Sequence, residues 1–515
     1  MKKYLIIIVL FCFSCFIYSQ STIQKRIRTP KSQAAFSMDI LEFSKNRFLL
    51  FGSSFDSVQS GVQSDLTLIL VDEFGNTIWR KSYFDSLYPA SFYSASTRLI
   101  AKVRKNIYSI NVAFHSNKNV GIFNKYNLNG DTLFSKKIVD GNSSASMCLR
   151  SLNISSDSCF LITGTVITPS PGYNGNPTYG MFVLKLDTLG NVLWYKKHYP
   201  SNLNMQYEGY DIIEDPLTKR IFVTGNRLLL NLSYQGVLWV LDNQGNLIAM
   251  AGTNNQFGIV TRSITRRETG NILFGALNYY SNYFGNGING YTSLLIETDS
   301  LGNLVKKIEV DSIGGDGGFG KLICLKNGDL ISSGIYESAA QHGLGRNNIL
   351  RVAKFDQAFN LKWKKYFDNY TNNPNYDATS SLVYTQENEI VFTSDCQYCH
   401  DANPVTFMFY RTDTSYCDVN AVACYSYSTV GLNQENSLEN EFRVFPNPTA
   451  GKLIIQKESN GLVSFKILNS IGQMLLEQKS EIHKIELDLS EFPRGIYFVL
   501  ITNKNGTLVK KIIRV

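Results

Sequence analysis

The sequence predicts an all-β protein: a seven-bladed β-propeller over residues 21–424, then a small immunoglobulin-like β-sandwich over residues 442–515. Three observations carry this reading. Aromatic residues make up 13% and charged residues only 18% of the 515, a balance that suits pleated, half-buried surfaces. Two short landmarks recur in step over the greater part of the chain. The final stretch alternates apolar and polar residues with period two, as in Ile485, Leu487 and Leu489 against Glu486 and Asp488.

The chain opens with Lys2 and Lys3, followed by a nearly unbroken apolar run from Tyr4 to Tyr18 and then Ser19-Gln20. A charged start and an apolar run of this length have the form of a signal peptide over residues 1–20, with cleavage expected near Gln20. The net charge of +8 is modest for this length and lacks a basic block, so nucleic acid is not expected as a partner.

The repeat is the strongest feature. DEFGNTIW starts at Asp72, NLNGDTLF at Asn127, DTLGNVLW at Asp187, DNQGNLIA at Asp242, DSLGNLVK at Asp299 and DQAFNLKW at Asp356. At Asp413 the pattern breaks off as DTSYC. A second landmark keeps step with it, from LLFGSS at 49–54 to VFTSDC at 391–396. Each copy accommodates four strands and short turns, which is the sequence form of a propeller blade. The glycines at 75, 130, 190, 245 and 302 fit a hairpin position that needs positive φ. The Asp is expected to bond turn amides. Phe359 interrupts the glycine pattern, which implies a turn under no single rigid constraint. Trp79, Trp194 and Trp363 are expected to fill the space between blades, with Phe134 in that place in the second copy. The seventh copy lacks its last strand, and STIQKRIR (21–28) resembles it. That segment is expected to complete the last blade and leave no long open edge.

Composition changes after Cys424. Residues 425–441 are polar and read as a linker. The segment after them closely resembles the C-terminal sorting domain of cargo of the type IX secretion system of Bacteroidota. The matching residues are Phe445-Pro446-Asn447-Pro448, Gly451, the Asn469–Gly472 turn, Gly495-Ile496-Tyr497 and the tail from Lys510-Lys511 to Val515. The resemblance implies export with the signal peptide removed and passage across the outer membrane by the type IX machinery. It further implies cleavage in the linker by a sortase-like surface protease, with attachment to surface polysaccharide or release. A secreted or cell-surface destination follows. Asp-Ser/Thr-apolar triplets resembling an O-glycosylation sequon of that phylum occur at Ser57, Ser86, Thr132, Thr188, Ser300 and Ser312.

Removing the signal peptide leaves seven cysteines, an odd number. Cys396-Gln-Tyr-Cys399-His400 has the form of a c-type haem attachment motif, with Met408 available as a second ligand. Its place at the end of a blade strand favours a disulfide in an oxidising compartment, and no cofactor is expected. Cys396–Cys399 and Cys417–Cys424 are the preferred pairs, the second by similarity to other exported propellers. Cys148 and Cys159, on neighbouring strands, are candidates for a third. Five scattered His show no metal-ligand spacing, so no metal is expected. The loop NYYSNYFGNGINGY (278–291) offers Tyr279, Tyr280, Tyr283 and Phe284 as stacking surfaces for sugars or peptides.

The expected function is binding of a glycan, a peptide or another surface component. The alternative is a glycan-active or redox enzyme with a pocket at the propeller axis. Inner strands around residues 209–214, 263–268 and 380–385 are expected to line that axis. Convergent carboxylates or Arg there would favour the enzyme.

Overall fold

The computed structural model describes residues 23–27, 32–56, 64–85, 90–91, 98–116, 118–142, 144–169, 177–202, 205–229, 234–252, 258–280, 290–310, 316–338, 347–367, 379–396, 406–412, 424–425, 442–457, 463–469, 473–481, 483–503 and 506–515. These residues are strands and turns throughout, and none of them forms a helix that could cross a membrane. The chain divides into two compact units, Met1–Ser426 and Tyr427–Val515.

The described residues of the first unit form seven sheets, one for each copy of the repeat, antiparallel but for one added strand in the sixth. The third sheet is representative. Ser146–Ile154, Phe160–Thr168, Thr178–Leu186 and Val192–His198 lie side by side in chain order. Alternate residues of each strand serve opposite faces. Phe160 and Ile162 pack toward the first two sheets, whereas Leu161 packs toward the fourth. Further apolar clusters join the fourth sheet to the fifth, the fifth to the sixth and the sixth to the seventh. A last cluster joins the seventh to the first, through Phe407 and Phe409 against Phe48 and Leu50. Ile23–Ile27 is the outer strand of the seventh sheet and pairs antiparallel with Thr406–Thr412. The sixth sheet carries a fifth strand, because Cys424–Tyr425 pairs parallel to Leu361–Phe367.

The Asp of each repeat builds its turn. Asp72 Oδ1 accepts from the amides of Phe74 (2.9 Å) and Asn76 (2.8 Å), and Oδ2 accepts from Asn76 Nδ2 (3.0 Å). The same carboxylate pattern recurs at Asp187, Asp242 and Asp299. In the second repeat the two residue types trade places: Asn127 accepts from the amides of Asn129 and Asp131, and its side-chain amide donates to Asp131.

Each turn is also a seat for the preceding sheet. A Cβ on Gly130 would lie 3.0 Å from the Trp79 ring, and one on Gly245 would lie 2.7 Å from Trp194. The hydroxyl of Tyr83 donates to the Gly130 carbonyl, and His198 Nε2 lies 3.1 Å from that of Gly245. Glycine is required twice over, by positive φ and by the indole against it. Phe359 corrects the expectation that this position is loosely constrained. It holds the same backbone conformation as the glycines, with φ 67°. It is buried, with Lys306 5.1 Å and Arg267 5.2 Å from its ring centroid. Lys306 stands in the outer strand where the first and third repeats place Trp79 and Trp194. Here the preceding strand brings no aromatic and the turn supplies one; at Gly302 neither does, and a Cβ there would lie 3.0 Å from that of Ala251.

These contacts put all the Asp turns at one end of the unit. The inner-hairpin turns share that end: Arg220 donates to Ser300 O (3.1 Å), and Arg267 to Gly328 O (2.7 Å) and Gln357 O (2.8 Å). Strand direction therefore places the other ends of the strands, such as Thr168 and Thr178, at the opposite end.

Trp194→Ala is expected to cost about 3 kcal/mol in urea unfolding. Phe359→Gly is expected to cost about 2 kcal/mol, and adding Lys306→Trp to restore part of it. Additive effects in that double-mutant cycle would contradict the exchange of aromatic partners.

Candidate functional site

Seven inner-strand positions are equivalent, each just before an apolar residue: Asp39, Arg98, Ser151, Asp211, Ser263, Lys321 and Ser381. The pairing register slips beside most of them, for example between Ser37 and Asp39, Leu149 and Ser151, and Gly209 and Asp211. Such bulges re-aim side chains. Here they bring polar side chains from several sheets together in the interior.

The carboxylates are satisfied by the neighbouring sheets. Asp39 Oδ2 accepts from the amides of Leu99 (2.6 Å) and Ile100 (3.0 Å) in the second sheet's repeat. Asp211 Oδ1 accepts from Ser151 Oγ (2.5 Å), and its Oδ2 from Ile264 N (3.0 Å). Arg98 reaches from the second repeat to the fourth and fifth: Nη2 lies 3.7 Å from Asp211 Oδ2 and donates to Ile264 O at 2.8 Å. Ser263 Oγ accepts from Leu322 N (2.8 Å). Burial, with the Arg98 charge adding to it, pushes the Lys321 ammonium down to about 8, against the opposing pull of Asp39 and Asp211.

A second cluster lies on the same strands, one step toward the end opposite the turns. Arg150 and Tyr210 are the extra residues of two of the bulges. The Arg150 guanidinium stacks 4.7 Å from the Tyr210 ring centroid. Glu208 accepts from Tyr210 OH (2.7 Å), and its Oε1 lies 3.7 Å from Arg150 Nη2. Burial and the Glu208 charge raise the Tyr210 phenol above its ordinary range.

Of the segments expected to line the axis, 209–214, 263–268 and 380–385 supply Asp211, Ser263 and Ser381. Asp39, Arg98, Lys321, Arg150 and Glu208 were not anticipated. Their signal is the polar residue immediately ahead of the apolar residues on each inner strand, visible only after the repeats are aligned.

Cys148 and Cys159 do not form the proposed disulfide; both are thiols. Cys148 pairs across the hairpin with Thr165, whereas Cys159 lies just before Phe160 at the turn. The six-residue offset separates them by about 20 Å along the strand. Cys399, His400 and Cys417 lie outside the described residues, as do Tyr283 and Phe284. Cys396, Cys424, Tyr279 and Tyr280 are placed as strand backbone only. Thr132 is exposed, whereas Ser300 Oγ accepts from Arg220 (3.2 Å); Ser57, Ser86 and Ser312 lie outside the described residues.

The second unit packs two sheets on one core. Phe442–Phe445, Lys452–Lys457 and Lys484–Asp488 form one sheet. Val463–Asn469, Met474–Ser480, Gly495–Asn503 and Gly506–Arg514 form the other. The Phe445-Pro446 and Asn447-Pro448 peptides are cis. Asn447 clasps the last strand: its Nδ2 donates to Lys511 O (2.8 Å) and its Oδ1 accepts from Ile513 N (2.9 Å). Thr449 continues the clasp through Ile513 O and Val515 N. A Cβ on Gly451 would lie 2.3 Å from Ser490 Oγ. Arg514 donates to the carbonyls of Phe492 and Ser490, and the buried Tyr497 donates to Pro493 O. Lys510 is half-buried and Lys511 exposed. The quoted motif residues at the start and end of the segment thus meet around the C-terminal strand.

Residues 443–515 match the family described as the secretion system C-terminal sorting domain. The C-terminal unit is a type IX sorting domain. A sorting domain marks the protein as secreted or cell-surface and implies contact with the type IX machinery. No curated protein matches the chain. Solved structures similar to it include an acylaminoacyl peptidase of Pyrococcus horikoshii, at 13% identity and TM-score 0.40, over 83% of this chain and 58% of that one. The polysaccharide lyase Uly1 is similar at 9% identity and TM-score 0.43, over 78% and 94%. The β-propeller domain of the Trilobed protease from Pyrococcus furiosus is similar at 12% identity and TM-score 0.41, over 76% and 99%. The chain thus spans 58% of the length of the peptidase.

The Lys321 environment gives a pH dependence. Below pH 8 both folded and unfolded chains hold the proton, and the folded state carries the full cost of a buried ammonium. Between about 8 and 10.5 the unfolded chain binds more protons, so stability rises with pH. Lys321→Met is expected to remove that rise, read as the difference between wild-type and variant urea midpoints at pH 7.5 and 9.5.

Proposed function

We propose that residues 21–424 form a seven-bladed propeller, sealed by Ile23–Ile27, which binds a glycan, peptide or surface component outside the cell. The sorting domain delivers it and is removed within residues 425–441. The observation that carries binding over catalysis is where the interior charges go. Carboxylates and Arg do converge, which by itself would favour an enzyme. Yet Asp39 and Asp211 take their bonds from backbone amides of neighbouring repeats, as ties between sheets. Carboxylate oxygens already occupied by such ties serve the architecture and leave no free face toward a substrate.

The ligand would enter from the end opposite the turns, where Arg150, Glu208 and Tyr210 combine a guanidinium, a carboxylate and an aromatic ring. These groups suit hydroxyl-rich or peptide ligands better than a lipid tail.

A glycan and peptide array probed with the full chain tests this. Arg150→Ala is expected to lower capture by about tenfold or more, the loss of one or two charge-assisted hydrogen bonds. Unchanged capture would remove the site, and turnover of an arrayed glycan would replace binding with catalysis.

A further inference from the structure

At the end opposite the turns, the seam between the third and fourth sheets finishes in polar and aromatic side chains. Arg227 lies near the far end of Ile221–Leu229 and pairs across the ladder with Tyr207 of one neighbouring strand and Gln235 of the other. Its Nε donates to Gln235 Oε1 (2.7 Å), and its charge reaches the Tyr207 phenol. Tyr179 enters from the third sheet and is half-buried; burial raises its phenol above the ordinary range, and Glu208, Cys148 and Tyr234 add to the rise. Tyr234, next to Gln235, is 43% exposed. Beneath them the seam is closed by Met181 and Trp239, both fully buried.

The charge at this seam is one-sided. Arg98, Arg150, Arg266, Arg267 and Arg411 each lie within 3.7 Å of a carboxylate. Arg227 has none in that range among the described residues; its partner is the neutral Gln235 amide. The connections that join these strands, residues 170–176, 203–204 and 230–233, contain no Asp or Glu to supply one. A guanidinium fixed through Nε keeps both terminal nitrogens for a ligand, the geometry that takes a carboxylate or sulfate by two parallel hydrogen bonds. The tyrosines decide what carries that anion. Their rings suit the faces of sugar rings and their hydroxyls suit sugar hydroxyls. A peptide would need pockets for its apolar anchors, and the closed floor of Met181 and Trp239 offers none. We propose that this seam binds an anionic glycan, with Arg227 on its carboxylate or sulfate groups and Tyr179 and Tyr234 against its rings. The proposal rests on the reading that this end of the first unit binds, and it names the class of ligand.

The test is capture of the full chain on immobilised polygalacturonate and carrageenan, against carboxyl-reduced polygalacturonate, dextran and polyglutamate. Wild type is expected on one or both anionic polysaccharides and on neither neutral one; polygalacturonate alone assigns the group to carboxylate, carrageenan alone to sulfate. Arg227→Gln, checked by an unchanged melting curve, is expected to lower that capture about tenfold or more. Arg227→Lys is expected to recover only part of it, since it restores the charge without the fork. Tyr234→Ser, at an exposed site, is expected to lower glycan capture about threefold or more. Equal capture on neutral and anionic polysaccharides, or anionic capture that Arg227→Gln leaves unchanged, would overturn the proposal and leave the binding reading standing. Capture on polyglutamate that is as tight and depends on Arg227 would assign the seam to an acidic peptide instead. Capture on none of these surfaces, nor on a wider glycan and peptide array, would remove the binding reading as well.

Discussion

One contact organises the first unit: the seating of each turn on the outer strand of the sheet before it. The turn glycine leaves a hollow, and the preceding strand fills it with an indole, a phenyl ring, the stem of a lysine or, at Gly302, the methyl of Ala251. A hydroxyl or imidazole from the same strand then bonds the glycine carbonyl. Because the turn is held internally by its own Asp or Asn, it presents a fixed surface rather than a pliable loop. Sheet-to-sheet geometry is therefore set by a short local motif, repeated. The contact also crosses from the seventh sheet to the first, where Gly75 meets Phe409 and Lys25 and Arg411 donates to Glu73 O.

The interior ties act at the other edge of each sheet. Asp39 bonds the amides of Leu99 and Ile100, where the neighbouring inner strand begins, and Asp211 bonds Ile264 N, beside a register slip that leaves donors off the regular ladder. Burying these charges is costly. They are tolerated because backbone donors, serine and Arg98 satisfy them, and because Lys321 and Arg98 balance two negative charges with two positive ones. The same spending of charge on architecture leaves the Arg150, Glu208 and Tyr210 cluster as the chemically richer surface.

Much of this was legible in the sequence, and for a physical reason. Asp, Gly and Asn at fixed offsets state a turn chemistry that needs no tertiary context, so strands and repeats follow from it. The sorting domain was legible because its residues clasp one another, as Asn447 and Thr449 hold the last strand. Most of what escaped depends on pairs of positions more than fifty residues apart. Phe359 looks like a defect until it is set against Lys306 of the preceding repeat. The interior cluster draws one residue from each repeat, so no single stretch displays it. The Cys148 and Cys159 pairing failed on register alone, since adjacency of strands does not make residues opposite.

The pairing of Ile23–Ile27 with Thr406–Thr412 has a kinetic consequence. Its partners are separated by nearly the whole length of the first unit, the most non-local strand pairing among the described residues, and loop closure of that span must precede its formation. The seventh sheet can be completed only after almost all of the unit has emerged from whatever delivers it. Until then the first and last sheets each expose a hydrophobic face, and the N-terminal strand has no partner. The final step of folding is thus tied to arrival of the chain's far end, with the sorting domain following directly behind.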